Sequence, residues 1–134
     1  MIEYKEWSAS ELEAVKELYR QHGWTAYLQD DAKLIRAFRQ SLYVVGAYDG
    51  ERLVGFIRCV GDGEHVVLVQ DLIIAQEYLR NGIGKALMTL AEERFHDVRT
   101  FMLLTDAMDE RANAFYQSVG MAKAEENGCI TYMK

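Results

Sequence analysis

The distribution of hydrophobic and polar residues predicts a succession of short strands and helices around one central segment. Residues Val66–Ile74 form an apolar run rich in Val and Ile, which is typical of a strand buried on both faces. After a short polar link, Ile83, Leu87, Leu90 and Ala91 recur at the spacing of an amphipathic helix. The central segment is therefore predicted to be a strand, a glycine-containing loop and a helix.

The same criteria divide the rest of the chain. Strands are predicted at residues 2–7, 43–48, 52–60, 99–105 and 129–133. A first helix is predicted to begin after Ser8 or Ser10 and to end at Gly23. A second is predicted to begin at Asp30 or Asp31, with Leu34, Ile35 and Phe38 facing inward. A third is predicted to span residues 109–119 before Gly120. Ser10 and Glu13 fit a capping box for the first of these helices.

Turn signals indicate how the strands connect. Asp49 and Gly50 predict a hairpin, and residues 61–63 predict a second turn into the central strand, so three strands form an antiparallel meander. The strand–helix–strand crossover that follows makes the next pair parallel and right-handed. The predicted fold is α+β, in the order β-α-α-β-β-β-α-β-α-β, with a mixed, mostly antiparallel sheet in a single domain over residues 1–134.

Composition and charge narrow the class of protein. The chain has 134 residues, of which 50% are hydrophobic, which is enough for one core. Its net charge of −6 argues against a nucleic-acid partner, which would need a basic surface. No apolar run approaches the ~20 residues that cross a bilayer, and the first residues lack a signal-peptide pattern. A cytoplasmic protein without a membrane partner is the default prediction.

The cysteines and histidines do not indicate a metal site. Cys59 and Cys129 lie far apart in strand-like runs, there is no Cys-x-x-Cys, and the histidines are His22, His65 and His96. Zinc sites need closely spaced ligands of these types. We therefore predict no metal and two buried free thiols.

The glycine loop has the chemistry of a diphosphate site. Gly82 and Gly84 lack a Cβ where the chain turns into the helix, so a ligand can approach the backbone closely. The first N–H groups of a helix have no partner within it and carry partial positive charge. A dinucleotide fingerprint would need a third glycine at position 87, which is Leu87, and a P-loop would need Ser or Thr after Lys85. A plain strand-to-helix turn is the structural alternative.

The strand, loop and helix resemble motif A of the GNAT superfamily of acyl-CoA-dependent N-acyltransferases. The family pattern is Gln/Arg-x-x-Gly-x-Gly/Ala, and the chain departs from it at Leu79, while Arg80 and Lys85 still supply positive charge. The resemblance implies that acetyl-CoA is the cosubstrate and that the loop binds its diphosphate. The loop residues implied in this contact are Leu79, Arg80, Asn81, Gly82, Ile83, Gly84 and Lys85. The predicted element order extends the resemblance to the whole chain, with residues 121–126 as a sixth strand.

The resemblance also implies where the thioester lies. In the family the central strand bulges and splays from its neighbour, and free backbone N–H groups, here at Leu72, Ile73 and Ile74, meet the pantetheine arm. A later segment, 113–121, resembles the family helix that carries a tyrosine donating a proton to the CoA sulfur. Tyr116 stands at that position. Asp109 replaces a cofactor-binding Asn of the family, and Asn113, one turn before Tyr116, is the alternative contact.

The general base and the acceptor site have open alternatives. Asp71 in the central strand matches a family position that takes the amine proton through water, or it is a carboxylate hydrogen-bonded for structure. Glu64 and His65 are weaker candidates. The link with His22, Trp24 and Tyr27 roofs the acceptor site in the family, where aromatic rings would hold a cationic amine; anchoring the link on the core is the alternative.

The resulting hypothesis is an acetyl-CoA-dependent N-acetyltransferase acting on a primary amine of a small molecule or peptide. The alternatives are a CoA-binding sensor without turnover and an interaction domain on the same fold. Aminoglycosides, polyamines, amino acids, aryl amines and protein termini or lysines all satisfy the constraints on the acceptor. The resemblance allows a homodimer, although no residue pattern specifies one.

Overall fold

The computed structural model describes residues 1–8 and 11–134, which form two compact units, Met1–Leu103 and Leu104–Lys134. The first unit contains strands β1 (Ile2–Glu6), β2 (Tyr43–Asp49), β3 (Arg52–Gly61), β4 (Val66–Ile74) and β5 (Thr100–Leu103), and helices α1 (Leu12–Gln21), α2 (Asp31–Gln40) and α3 (Ile83–Arg94). The second unit contains helix α4 (Glu110–Ser118). Short 3-10 helices lie at Thr25–Leu28, Gln76–Tyr78 and Ala124–Asn127. One domain over the full length stays a prediction.

The sheet has the strand order β1-β2-β3-β4-β5. Each pair from β1 to β4 is antiparallel and β4 pairs with β5 in parallel. The meander, the crossover and the mixed α+β sheet predicted from the turn signals are therefore confirmed.

A bulge interrupts β4. Arg58 of β3 lies opposite Asp71, whereas the next residue, Cys59, lies opposite Val69, so Gln70 is the extra residue on β4. An extra residue changes the direction in which the following backbone groups point. The bulge thus falls just before the segment in which the family resemblance placed it.

Strand β5 pairs with only the first part of β4. The parallel register runs from Val66 opposite Thr100 to Val69 opposite Leu103, and the described residues place no further strand on that side of the sheet. The β5-facing side of β4 from Gln70 to Ile74, called the open edge below, therefore has no strand partner in this sheet. This is the splayed strand pair that the fold prediction includes.

The helices of the first unit supply apolar stripes to its core. The fully or nearly buried helical residues are Val15, Leu18 and Tyr19 of α1, Leu34 and Phe38 of α2, and Ile83, Leu87, Met88 and Ala91 of α3. Cys59 is buried as predicted, and burial raises the pKa of its thiol to about 12. No helix among the described residues has the length and apolarity to cross a membrane.

The helix ends follow the sequence signals where the structure describes them. Asp30 caps α2 by accepting a hydrogen bond from the Lys33 N–H at 3.1 Å. Helix α1 ends just before Gly23, which has a φ of +71°. The capping box predicted from Ser10 and Glu13 lies outside the described residues because it includes Ser10.

The two strands predicted after α4 are wrong. Residues 121–126 contain the start of a 3-10 helix, in which the Glu126 carboxylate accepts a hydrogen bond from the Lys123 N–H at 3.0 Å. Local hydrogen bonds of this kind satisfy the backbone without a neighbouring strand. Residues 129–133 form no strand, and Cys129 is exposed rather than buried. Ile130 and Tyr132 are 62% and 89% exposed, so their β-forming character has no apolar surface to cover.

We expect the Asp62 carboxylate to stabilise the turn before β4 in a pH-dependent way. Its Oδ1 accepts the N–H groups of Glu64, His65 and Val66 at 2.9, 2.8 and 2.9 Å, and these donors lower the pKa of Asp62 to about 2. The pKa of an unfolded Asp is about 3.9, so the stabilisation is present above about pH 4 and is lost as the pH falls towards 2.

Thermal melts of Asp62→Ala at several pH values measure this effect. The variant should melt below the wild type at pH 7, and the difference should shrink as the solution is acidified. Asp62→Asn, which keeps an oxygen acceptor, should melt between the two. A difference in melting temperature between the wild type and Asp62→Ala that does not change with pH would show that the charge of Asp62 does not stabilise the turn.

Candidate active site

The glycine loop enters α3 in a conformation that leaves space above its backbone. Gly82 is the residue before the helix and has a φ of +78°, and apart from its chain neighbours no atom lies within 4 Å of the place where a Cβ would lie. The first helical hydrogen bond runs from the Ala86 N–H to the Gly82 carbonyl at 3.0 Å. Arg80 has a φ of +67°, which is unfavourable for a residue with a Cβ. Such non-glycine strain is typical of functional loops.

The charges around this loop favour an anion. The first turn of α3 contains no acidic residue, and Arg80 and Lys85 are exposed. A cleft of about 430 Å³ adjoins the helix, lined by Tyr4, Gly82, Lys85, Ala86, Thr89 and Leu90. Unpaired N–H groups, an open glycine and nearby cations together fit the diphosphate of CoA. The contact of the predicted loop residues with the diphosphate stays a prediction.

The backbone at the end of β4 can be oriented from two contacts. The Ala75 N–H donates to the Val54 carbonyl of β3 at 2.8 Å. In a trans peptide the C=O and N–H point in opposite directions, so the Ile74 carbonyl points away from β3, towards the open edge. Residues of a strand alternate in this respect. The N–H groups of Leu72 and Ile74 therefore face the open edge, whereas the N–H of Ile73 faces β3.

Asp71 lies in a buried ion pair. It is 1% exposed, and its Oδ2 accepts hydrogen bonds from Arg58 Nε at 2.7 Å and from the Tyr19 hydroxyl at 2.8 Å. Arg58 Nη1 also donates to Ser41 Oγ at 3.2 Å. The other Asp71 oxygen, Oδ1, is buried and has no hydrogen-bond partner among the described residues. This geometry supports the structural alternative for Asp71, and a role as base stays a prediction.

The ion pair changes the acidity of its neighbours. Burial, together with the Asp71 charge, raises the pKa of Tyr19 far above its usual value. Burial and Asp71 also raise the pKa of Tyr27. Both phenols therefore stay protonated at neutral pH, and Tyr19 acts as a hydrogen-bond donor.

The aromatic link before α2, which contains His22, Trp24 and Tyr27, packs on Tyr19 through Tyr27, whereas Trp24 is partly exposed. The ring of Tyr27 stacks on Tyr19 with centroids 4.4 Å apart, and its hydroxyl accepts a hydrogen bond from Gln70 Nε2 at 3.1 Å. Trp24 is 37% exposed, with its ring centroid 6.1 Å from that of Tyr19. Of the two residues predicted to bind the acceptor, Tyr27 is thus held by the bulge residue and Trp24 offers ring surface.

Hydrogen bonds that the sequence did not indicate fasten this link to the end of β4. His22 Nε2 lies 2.6 Å from the Ile74 carbonyl oxygen. The Gln76 N–H donates to Gln21 Oε1 at 3.1 Å, and Gln76 Nε2 donates to the Gln21 carbonyl at 3.4 Å. The partners are more than 50 residues apart in the chain, and no local pattern marks them.

In the second unit, the polar residues of the predicted motif stabilise the start of α4. Asp109 caps the helix by accepting the Ala112 N–H at 3.0 Å. Asn113 Nδ2 donates to the carbonyls of Asp106 and Asp109 at 2.9 and 2.7 Å. Asp109 therefore has a structural role that Asn would also satisfy, and a cofactor contact of Asn113 stays a prediction.

Tyr116 is half-buried on the same helix. Its ring meets that of Phe115 edge-on, with centroids 5.3 Å apart. Burial, with a contribution from the Asp109 carboxylate, raises the pKa of Tyr116. The phenol is therefore a proton donor rather than an acceptor at neutral pH. Among the described residues, no group of three or more His, Cys, Asp or Glu side chains could hold a metal ion.

Comparisons with known proteins identify the family. The model of the acetyltransferase (GNAT) family matches residues 4–121. Among solved structures, a GNAT family acetyltransferase from Streptococcus pneumoniae TIGR4 is 35% identical, covers 100% of this chain and 96% of its own length, and superposes with a TM-score of 0.84. None of the curated proteins compared with the chain matches it.

Two more distant structures share the fold. PaiA N-acetyltransferase from Thermoplasma acidophilum, solved with coenzyme A, is 22% identical over 90% of this chain and 89% of its own, with a TM-score of 0.73. An aminoglycoside acetyltransferase from an uncultured soil metagenomic sample, solved with sisomicin, is 18% identical over 99% of this chain and 94% of its own, with a TM-score of 0.75. Because the family model spans most of its length, the chain belongs to the GNAT family of acetyltransferases.

Proposed function

We propose that the protein transfers the acetyl group of acetyl-CoA to a primary amine, by direct attack within a ternary complex. The observation that carries this proposal is the open edge of β4, where the N–H groups of Leu72 and Ile74 have no strand partner. Unpaired amides on a strand edge bind an extended ligand by adding it as another strand. The glycine loop follows a few residues later and offers N–H groups to the diphosphate of the same ligand.

The chain's own groups then have distinct tasks. The open-edge N–H groups hold the pantetheine arm and donate to the thioester oxygen as it gains negative charge. The resemblance, rather than any measured distance, assigns Tyr116 as the acid that protonates the departing sulfur. A phenol whose pKa is raised keeps its proton until a stronger base, the thiolate, is formed.

The acceptor is proposed to be a cationic amine. The net charge of −6 attracts cations over long distances. The exposed ring surface of Trp24 can hold an ammonium group by a cation–π contact. An aminoglycoside acetyltransferase of the same fold was solved with sisomicin, and aminoglycosides are therefore included with polyamines and lysine peptides in the first panel of amines.

We expect Tyr116→Phe to lower kcat by about a hundredfold, within the usual contribution of an acid catalyst, and to change the KM for acetyl-CoA little. The phenylalanine keeps the ring but carries no proton. Steady-state kinetics with the best amine of the panel measure this effect. Tyr132→Phe is the matched control, because Tyr132 is 89% exposed. Equal kcat in Tyr116→Phe and the wild type would rule out the acid role.

A sensor that binds acetyl-CoA without turnover is the second candidate. It is favoured by the ion pair of Asp71, since a carboxylate bound to Arg58 and Tyr19 is not a free base. Acetyl-CoA at about a hundred times its Kd should raise the free energy of unfolding by about 2.7 kcal/mol in either case. Stabilisation without turnover of any amine identifies the sensor, and the absence of stabilisation identifies an interaction domain.

A further inference from the structure

We propose that His22 is the general base that takes a proton from the acceptor amine, an inference that rests on the N-acetyltransferase function proposed above. His22 follows α1 and belongs to the aromatic link. The structure brings its ring to the end of β4, 52 residues later in the chain.

The contact with β4 determines the tautomer of His22. Its Nε2 lies 2.6 Å from the Ile74 carbonyl oxygen, and a carbonyl oxygen only accepts hydrogen bonds. Nε2 must therefore carry the hydrogen, and in the neutral ring Nδ1 holds a lone pair. Nδ1 has no hydrogen-bond partner among the described residues. The buried side-chain nitrogen and oxygen atoms that lack a partner in the described part of the chain are Trp7 Nε1 and Asp71 Oδ1, so Nδ1 is not buried. Nδ1 is thus accessible and ready to accept a proton.

His22 also lies on the correct side of the strand. The Ile74 carbonyl that it binds points away from β3, because the Ala75 N–H of the same peptide donates to β3. The imidazole therefore lies at the open edge, next to the N–H groups assigned to the thioester arm. Two hydrogen bonds between Gln21 and Gln76 hold the backbone next to His22 near the end of β4.

The other titratable groups around His22 are poor bases. Tyr19 and Tyr27 have raised pKa values and keep their protons. Asp71 is 1% exposed and is paired with Arg58, and these two charges offset each other. Beyond Gln76, Glu77 is paired with Arg52. Of these groups His22 is the one that combines an accessible lone pair with a place at the open edge.

The proposed step balances protons and electrons. His22 Nδ1 takes one proton from the incoming ammonium group, which frees the nitrogen lone pair to attack the thioester carbon. The C–N bond forms, the C–S bond breaks, and its electron pair leaves with the sulfur. The sulfur takes a proton from the acid catalyst of the proposed function, and the proton that the new amide nitrogen loses restores that acid. His22 returns its proton to solvent, so one proton is released in each turnover.

His22→Gln tests the proposal, because the amide Nε2 of glutamine can still donate to the Ile74 carbonyl while offering no base. We expect kcat/KM for the amine to fall by about a hundredfold, at the low end for general acid–base catalysis, and the pH profile of the variant to differ from that of the wild type. The Kd for acetyl-CoA by calorimetry should not change. His96→Gln, an exposed histidine at the end of α3, is the matched control and should keep the wild-type profile.

A long-range proton–nitrogen NMR spectrum of the imidazole rings gives a readout that does not depend on turnover. The His22 signals, assigned by their absence in His22→Gln, should show hydrogen on Nε2 and none on Nδ1. If Nδ1 carries the hydrogen, His22 is not the base. The same follows if the wild type is active and His22→Gln has the same rate and pH profile; the proposed N-acetyltransferase function then still stands. A wild type that turns over no amine overturns the proposed function and the base with it.

Discussion

Gly82→Glu is expected to weaken acetyl-CoA binding by about a hundredfold or more, which corresponds to about 2.7 kcal/mol. The new side chain would fill the open space above the backbone of Gly82 and place a negative charge at the start of α3, against the diphosphate. Isothermal titration of acetyl-CoA into the variant measures the effect. The fold should survive with reduced stability, because the Cβ meets no atom within 4 Å apart from its chain neighbours, although a φ of +78° strains any residue that has a Cβ.

Two variants separate the ligand contact from backbone strain. Gly50 has a φ of +63° and the same open surroundings, but it lies in the turn between β2 and β3. Gly50→Glu should therefore cost similar stability and leave acetyl-CoA binding unchanged. Gly82→Gln, which adds the same bulk without charge, should bind more tightly than Gly82→Glu. Wild-type affinity in Gly82→Glu would show that the diphosphate is bound elsewhere.

Arg58→Met is expected to lower the free energy of unfolding by about 3–5 kcal/mol, the usual cost of leaving one partner of a buried ion pair. Methionine fills part of the volume beside Phe38 but leaves the Asp71 carboxylate buried with the Tyr19 hydroxyl as its donor. The pair also joins β3 to β4 beside the bulge, so the loss should loosen the open edge. Urea unfolding measures the change in stability.

The same substitution at an exposed pair is the matched control. Arg52 pairs with Glu77, and both side chains are about half exposed, so Arg52→Met should cost no more than about 1 kcal/mol. Adding Asp71→Asn to Arg58→Met removes the uncompensated charge and keeps an acceptor for Tyr19. This double variant should recover much of the loss. An Arg58→Met protein as stable as Arg52→Met would contradict the importance of the pair.

The parts of the fold that depend on local patterns were predictable. Hydrophobic periodicity and two glycine turns were enough for the meander, the crossover and the loop before α3. The sequence narrows the cap of α2 to Asp30 or Asp31 because the signal lies within one turn of the helix, and the structure shows that Asp30 is the cap. The strands predicted near the C-terminus were wrong because β propensity decides little without a neighbouring strand and an apolar surface.

The decisive side-chain contacts depend on tertiary structure. The ion pair of Arg58 and Asp71 follows from the register of β3 on β4 at the bulge, which no local pattern specifies. The contact of His22 with Ile74 joins the end of a helix to the end of a strand far along the chain. In the sequence His22 was one polar residue in an aromatic link. Only the direction of a single peptide group gives it a place beside the proposed reaction.

The early end of β5 also affects the tendency of the protein to self-associate. Had β5 continued beside Leu72 and Ile74, the ladder would have used their amides and left none for a substrate. The same unpaired amides are places where a second polypeptide can add. The ligand that occupies them would therefore also shield the protein from self-association, so that saturation with substrate and resistance to aggregation depend on one short length of backbone.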